Sequence, residues 1–173
     1  MTRATAIIRS TLAALAVNGR VAPVFPTLKG ADLNGRSLTL PDDFPKPFSL
    51  VFVAFEMRQQ ADVDSWRSFV QEARKARPSL AAFELPTIAR AYRLMRFVID
   101  NGMRSGIPDR ETRETTVTIY TNVKAFLRAL SIRTTRQIAV LVVTPAGKVL
   151  AHVSGRYSAE AAASINRALN AGS

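Results

Sequence analysis

The feature that most constrains the fold is an apolar run, Ser49-Leu-Val-Phe-Val-Ala-Phe55, rich in β-branched and aromatic residues. A strand with one solvated face alternates apolar and polar residues; this run does not, so it predicts a central strand covered on both faces. Directly after it the apolar spacing becomes helical, with Val63, Trp66 and Phe69 inside residues 60–76. A buried strand followed at once by an amphipathic helix is typical of an α/β protein.

The other segments are short and alternate between strand and helix patterns. Asn34-Gly35 separates two short alternating stretches and predicts an N-terminal β-hairpin. The run at 80–85 predicts a strand stopped by Pro86, and Thr87 is the expected cap of a helix that ends at Asn101-Gly102. The expected apolar face of that helix is Ile88, Ala91, Tyr92, Met95, Val98 and Ile99. Further strands are predicted at 115–121, 138–143 and 148–153, and helices at 123–130 and after Ser158.

Composition excludes several kinds of chemistry. The 173 residues contain no cysteine, so disulfides, thiolate metal sites and cysteine nucleophiles are excluded together. The single histidine, His152, argues against a zinc site, because such sites usually need several imidazole or thiolate ligands. We therefore expect no metal and no cofactor, and we interpret His152 as structural.

The charge is extreme. With 24 basic and 13 acidic side chains the net charge is +11, which favours acidic partners such as nucleic acid, anionic lipid or acidic protein surfaces. The arginines are scattered along the chain, however, and compositional bias explains them equally well. No motif for nucleic-acid binding accompanies the charge.

The order of elements resembles that of the thioredoxin-like superfamily over residues 25–170, most closely its exported thiol-oxidoreductase and peroxiredoxin-like branches. The run Leu130-Ser-Ile-Arg-Thr-Thr-Arg-Gln-Ile-Ala-Val-Leu-Val-Val-Thr-Pro-Ala-Gly-Lys-Val149 is similar to the stretch that precedes and forms the family's last hairpin. The resemblance implies an α/β fold, a three-layer α/β/α arrangement with a mixed central sheet and an N-terminal β-hairpin.

The chain departs from that family at its redox centre. The family carries Cys-x-x-Cys after the central strand, where this chain reads Glu56-Met-Arg-Gln-Gln60. The family's cis-proline is replaced by the neighbourhood of Thr135-Arg136-Gln137. Thiol oxidoreductase and peroxidase activities are therefore not expected.

A second, narrower resemblance concerns Phe55-Glu-Met-Arg-Gln-Gln-Ala-Asp-Val-Asp-Ser-Trp66 and Glu84-Leu-Pro-Thr-Ile-Ala-Arg90. These segments are similar to bacterial proteins grouped near the mitochondrial factor that assists assembly of the ATP synthase membrane sector. The resemblance implies an assembly or chaperone-like role.

Two candidate binding surfaces follow from the sequence. The first is the polar turn after the central strand, because ligands of open α/β sheets bind at strand ends; its residues are Glu56, Arg58, Gln59, Gln60 and Asp62, with Arg136 and Gln137 across from them. The second is the helix predicted at 88–100 with its loop to Pro108, whose Arg90, Arg93, Arg96 and Arg104 suit phosphate or carboxylate groups. Ordinary surface ion pairs and a solvated basic face are the alternative interpretations, with Asp100 and Asp109 as partners for some of that charge.

Residues 1–24 form an N-terminal extension to a single domain at 25–173. Arginines, a short apolar stretch and small residues in this extension leave two interpretations open: the remnant of an export signal or a surface helix. We expect an exported or membrane-associated protein, with a cytoplasmic location as the alternative. No segment approaches the roughly 20 apolar residues of a spanning helix.

The sequence thus predicts a redox-inactive thioredoxin-like protein that acts by binding a protein partner, as an assembly or chaperone-like factor for a membrane complex. The alternative is a basic protein that binds nucleic acid or an anionic membrane. A non-thiol enzyme is a third hypothesis, and it requires a closed pocket near Glu56 with a titratable group of displaced pKa.

Overall fold

A computed structural model describes residues 23–172, and the interpretations given for the extension at 1–24 concern residues almost wholly outside that range. Within it the chain forms one seven-stranded mixed sheet in the order β2-β1-β5-β4-β3-β6-β7. The strands are β1 (Leu28–Asp32), β2 (Ser37–Leu40), β3 (Ser49–Ala54), β4 (Ala81–Ala89), β5 (Val117–Thr121), β6 (Ala139–Val143) and β7 (Val149–Ser154). The α-helices are α1 (Gln60–Asp64), α2 (Arg67–Ala76), α3 (Arg96–Gly106), α4 (Arg110–Thr115), α5 (Val123–Ala129) and α6 (Ala159–Ala171).

The central strand lies where the sequence predicts it. β3 pairs in parallel with β4 and antiparallel with β6, and its side chains alternate between two apolar cores. Val51 and Val53 join the core on one face of the sheet, with Phe126 of α5. Leu50 and Phe52 join the core on the other face, under α2 and α6. The three-layer α/β/α arrangement with an N-terminal hairpin is confirmed.

The helix expected at 60–76 is divided into α1 and α2 near Trp66, but its apolar face is the predicted one. Trp66 is fully buried, and its indole Nε1 donates a hydrogen bond to the carbonyl oxygen of Gly155 at 3.1 Å. The backbone N–H of Tyr157 donates to Ser65 Oγ at 2.9 Å. These two bonds attach the loop after β7 to the junction of α1 and α2.

The helix predicted from Ile88 to Asn101-Gly102 is wrong at both its start and its end. β4 continues through Pro86 to Ala89, because Pro86 lies at the last register pair with β3, where a missing N–H interrupts the ladder least. Thr87 does not cap a helix; it is buried, and its hydroxyl donates to the carbonyl oxygen of Leu85. A 3-10 turn occupies Arg90–Met95, and α3 runs past Asn101-Gly102 to Gly106.

The apolar face expected on that helix does not enter a core. Ala91, Tyr92, Met95 and Val98 are exposed, and Ile88 and Ile99 are only half-buried. Spacing identifies residues that share a face of a helix, but not whether another element covers that face. The short helix α4, which begins at the Asp109 cap, was not predicted.

Candidate functional site

The turn after β3 is held by the side chain of Gln59. Its Oε1 accepts hydrogen bonds from the backbone N–H of Phe55 at 2.8 Å and of Glu56 at 3.3 Å. Its Nε2 donates to the carbonyl oxygen of Thr135 at 2.7 Å. Gln59 is buried, so these bonds are shielded from water and fix the turn against the loop before β6.

The residues around Gln59 point outward. Met57 is 91% exposed, at the tip of the 3-10 turn Met57–Gln59. Glu56 and Arg58 form an ion pair on the surface, and the hydrogen bond from Arg58 lowers the pKa of the Glu56 carboxyl. The turn therefore presents a flexible thioether beside a compensated pair of charges on a rigid base.

Of the other residues predicted for this surface, some lie near the turn and one does not. Arg136 and Gln137 are exposed and follow Thr135, so the Gln59 bond brings their loop to the turn as expected. Gln137 lies beside Gly155, where a Cβ built on the glycine would be 3.6 Å from Gln137 Nε2. Asp62 points elsewhere, with its Oδ1 3.6 Å from Arg156 Nη1. We call Glu56, Met57, Arg58, Arg136 and Gln137 the strand-end surface.

Gln60 also faces away from the tip and leads to an acid that the sequence analysis missed. Its Nε2 lies 3.4 Å from Asp64 Oδ1 and 3.4 Å from Glu84 Oε2. Burial raises the pKa of the Glu84 carboxyl, although the bond from Gln60 opposes that shift. The alternation of residues in β4 could have shown that Glu84 shares a half-buried face with Ala82.

The second predicted surface is an open groove of about 870 Å³ between the β1–β2 hairpin, β5 and residues 90–104. Its cationic lining residues are Lys29, Arg90, Arg93, Arg96 and Arg104. Across residues 23–172 none of these five takes part in an ion pair. The structure thus gathers the four predicted arginines on one groove.

The two aspartates expected to balance that charge have other partners. Asp100 accepts a hydrogen bond from the Tyr120 hydroxyl at 3.0 Å, and burial together with this bond raises the pKa of Tyr120. Asp109 caps α4 by accepting from the backbone N–H of Thr112, and this bond with that from the Thr112 hydroxyl lowers the pKa of its carboxyl. The groove is therefore lined by five cations that take part in no ion pair and by two acids, Asp100 and Asp32, of which Asp32 pairs with Arg36.

Neither surface is built like a metal site. Among the residues that the structure describes, no three His, Asp or Glu side chains are grouped so as to hold a metal ion. His152 is half-buried in β7, 3.5 Å from Ser154 Oγ, and burial lowers the pKa of its imidazole. Nor does any helix within 23–172 have the length and apolar character needed to cross a bilayer.

Comparison with solved structures identifies the fold. A putative electron transport protein from Aquifex aeolicus VF5 superimposes with a TM-score of 0.61 at 12% identity, over 88% of this chain and 98% of the other. BsSco, of the Sco family of cytochrome c oxidase assembly proteins, gives 0.57 at 12%, over 88% and 95%. The exposed lipoprotein thioredoxin Etrx1 of Streptococcus pneumoniae TIGR4 gives 0.54 at 11%, over 84% and 99%.

Sequence comparison adds nothing to this: no family model and no curated protein matches the chain. The similarity is one of architecture, at identities too low to carry an activity across. The chain therefore has the thioredoxin-like fold, and it has that fold without a single cysteine.

Proposed function

We propose that this protein is a redox-inactive binding protein whose strand-end surface holds a protein partner. The observation that carries the proposal concerns the turn at which the thioredoxin-like family has its thiols. In this chain the buried side chain of Gln59 fixes that turn by three hydrogen bonds to the backbone. Met57 is presented beside it, almost fully exposed. A rigid base under an accessible side chain favours binding, because little order is lost when a partner docks.

The chemistry of the strand-end surface suits a peptide. Methionine adapts its shape to apolar side chains of a partner. Glu56 and Arg58 form an ion pair and neutralise one another. The net positive charge of the strand-end surface therefore comes from Arg136, which takes part in no ion pair within residues 23–172. The partner segment that this surface fits carries an apolar side chain next to a carboxylate.

We place this binding in the assembly or maturation of a membrane complex. The narrower sequence resemblance, at residues 55–66 and 84–90, implies an assembly role. BsSco, which shares the fold, belongs to a family of assembly proteins. Both observations support an assembly role, and the absence of cysteine excludes electron transfer through thiols.

Affinity co-purification from the native host at moderate salt tests the proposal. The wild-type chain is compared with Met57→Asp combined with Arg136→Glu, and with the control Lys148→Glu, an exposed residue at the opposite end of the strands. We expect one defined membrane-complex subunit with the wild type and the control, and its loss with the double variant. Equal recovery with all three proteins, or recovery of nucleic acid instead, would overturn the proposal.

A further inference from the structure

Residues 90–106 project from the body of the protein. The segment comprises the 3-10 turn Arg90–Met95 and α3, and in the described structure none of its residues is buried. Its large apolar side chains face water: Leu94 is 98% exposed, Phe97 76% and Val98 67%, with Tyr92 and Met95 more than half exposed. A cluster of this kind on one protruding segment differs from the single exposed apolar residues of an ordinary surface.

The same segment carries a strong positive charge. It contains Arg90, Arg93, Arg96 and Arg104 and a single acid, Asp100, whose carboxylate is bonded to Tyr120. Lys29 adds to this charge from the hairpin side of the groove. Within residues 23–172 none of these four arginines takes part in an ion pair. The groove has five cationic lining residues against the two acids Asp32 and Asp100, and Asp32 pairs with Arg36, so the net charge of the lining is positive.

We propose that residues 90–106 dock this protein on an anionic lipid bilayer. Leu94, Phe97 and Val98 enter the boundary between headgroups and acyl chains, and the arginines contact lipid phosphates around them. Interfacial segments combine these two contributions, and neither alone holds a protein firmly on a membrane. The proposal concerns a surface other than the strand-end surface and does not depend on a protein partner.

A bilayer fits these observations better than other acidic partners do. Nucleic acid would use the arginines, but it offers nothing apolar for aliphatic side chains such as Leu94 and Val98. An acidic protein would need a concave site to receive the arginines and the apolar tip together. A bilayer receives a protruding apolar tip at any point of its surface, with phosphates on every side.

The absence of cysteine makes a direct test simple. Leu94→Cys and Ala146→Cys each give the full chain one thiol for an environment-sensitive fluorophore. Ala146 is exposed in the turn between β6 and β7, at the end of the sheet where β3 and β4 begin, whereas residues 90–106 follow the other end, where β4 finishes. The labelled proteins are titrated with phosphatidylcholine vesicles, with and without about 30% phosphatidylglycerol.

We expect the label at position 94 to brighten and shift to the blue on the anionic vesicles only, and the label at position 146 not to respond. Replacing Arg93, Arg96 and Arg104 together by Gln should weaken vesicle binding on the order of a hundredfold, since each basic residue contributes roughly fivefold. The matched control replaces the exposed Arg128, Arg133 and Lys148 by Gln, and its affinity for the vesicles should fall far less.

Three results would overturn the inference. They are no response at position 94, equal responses at both labelled positions, and a response to duplex DNA that equals the response to vesicles. Because the assay contains only purified protein and lipid, failure here leaves the proposed protein partner untouched. Failure of the co-purification leaves membrane docking untouched in turn.

Discussion

Gln59 is the residue on which the geometry of the strand-end surface depends. Replacing it by methionine keeps the volume but removes the amide, which leaves the Phe55 N–H and the Thr135 carbonyl without their buried partner. We expect Gln59→Met to lower the free energy of unfolding by about 2–4 kcal/mol, because each unsatisfied buried group is costly. Urea unfolding monitored by circular dichroism measures this.

The neighbouring glutamine provides the control for that substitution. Gln60 is exposed and its two hydrogen bonds are long, so Gln60→Met should stay within about 0.5 kcal/mol of the wild type. If the two variants lose the same stability, the role assigned to Gln59 is wrong.

Glu84 gives a prediction of pH dependence. Burial raises the pKa of its carboxyl in the folded chain above the ordinary value of 4.5. As the pH rises above that value, the unfolded chain releases the proton first, so stability falls until the folded carboxyl is also ionised. Glu84→Gln removes this loss, and the variant should be more stable than the wild type at pH 7 but not at pH 3.

Thermal unfolding at both pH values checks the Glu84 prediction. Glu72→Gln is the control, because Glu72 is exposed and its ion pair with Lys75 lies at the surface, where such pairs contribute little to stability. An advantage of Glu84→Gln that is the same at pH 3 and pH 7 would contradict the burial account.

Individual roles at the turn could be predicted only in part. The sequence identifies residues 56–60 as a polar stretch after a central strand, and the structure puts it there. Which glutamine becomes buried depends on where the loop at 133–137 returns, and local pattern carries no information on that. The link between Gln59 and Thr135 spans 76 residues of sequence.

The segment at 88–100 shows the same limit for a whole element. Its helical spacing predicts one apolar face, but Ile88 lies in β4, Tyr92 and Met95 lie in the 3-10 turn, and Val98 lies in α3. The spacing does not indicate a core, because the sheet face nearby is left as a groove. Arginines alternate with Tyr92, Leu94 and Phe97 in this segment, and that pattern could have indicated an exposed surface.

This reading of the segment predicts tolerance to polar substitution. Leu94→Ser and Phe97→Ser should each change the free energy of unfolding by no more than about 0.5 kcal/mol, because both side chains already face water. Phe126→Ala in α5 should instead cost about 3–5 kcal/mol, since Phe126 is buried. Denaturant unfolding compares them, and a large loss at position 94 or 97 would place the segment in a core.

The contact between β1 and β5 depends on Gly30. A Cβ at this position would lie 2.6 Å from Ile119 Cδ1 and 2.9 Å from the carbonyl oxygen of Thr118, and that backbone atom cannot move aside alone. We expect Gly30→Ala to destabilise the protein by about 1–3 kcal/mol. The same substitution at Gly102, in α3 with nothing within 4 Å of the new atom, should stabilise it by about 0.5–1 kcal/mol.

Calorimetry of the two glycine variants is a direct comparison, because both make the same chemical change. Opposite signs are expected. Equal effects would mean that β1 does not approach β5 as closely as the structure has it.

At the scale of the whole molecule, the succession of strands along the chain and both hairpins agree with the order of patterns in the sequence. This agreement comes from the buried strands, because a short continuous run of apolar, β-branched residues fits few structures other than a strand. The charge of +11 is different, because a total says nothing about position. Only the folded chain brings Lys29 of the hairpin next to the arginines of residues 90–104.

We propose that the strand-end surface functions by contact with a protein. The most direct test is a photoreactive phenylalanine derivative placed at Met57 in the native host, with Ala146 as the control position. We expect a crosslink from position 57 to one protein subunit of a membrane complex, and no such crosslink from position 146. No crosslink at position 57, the same products from both positions, or a crosslink to nucleic acid would contradict the proposal.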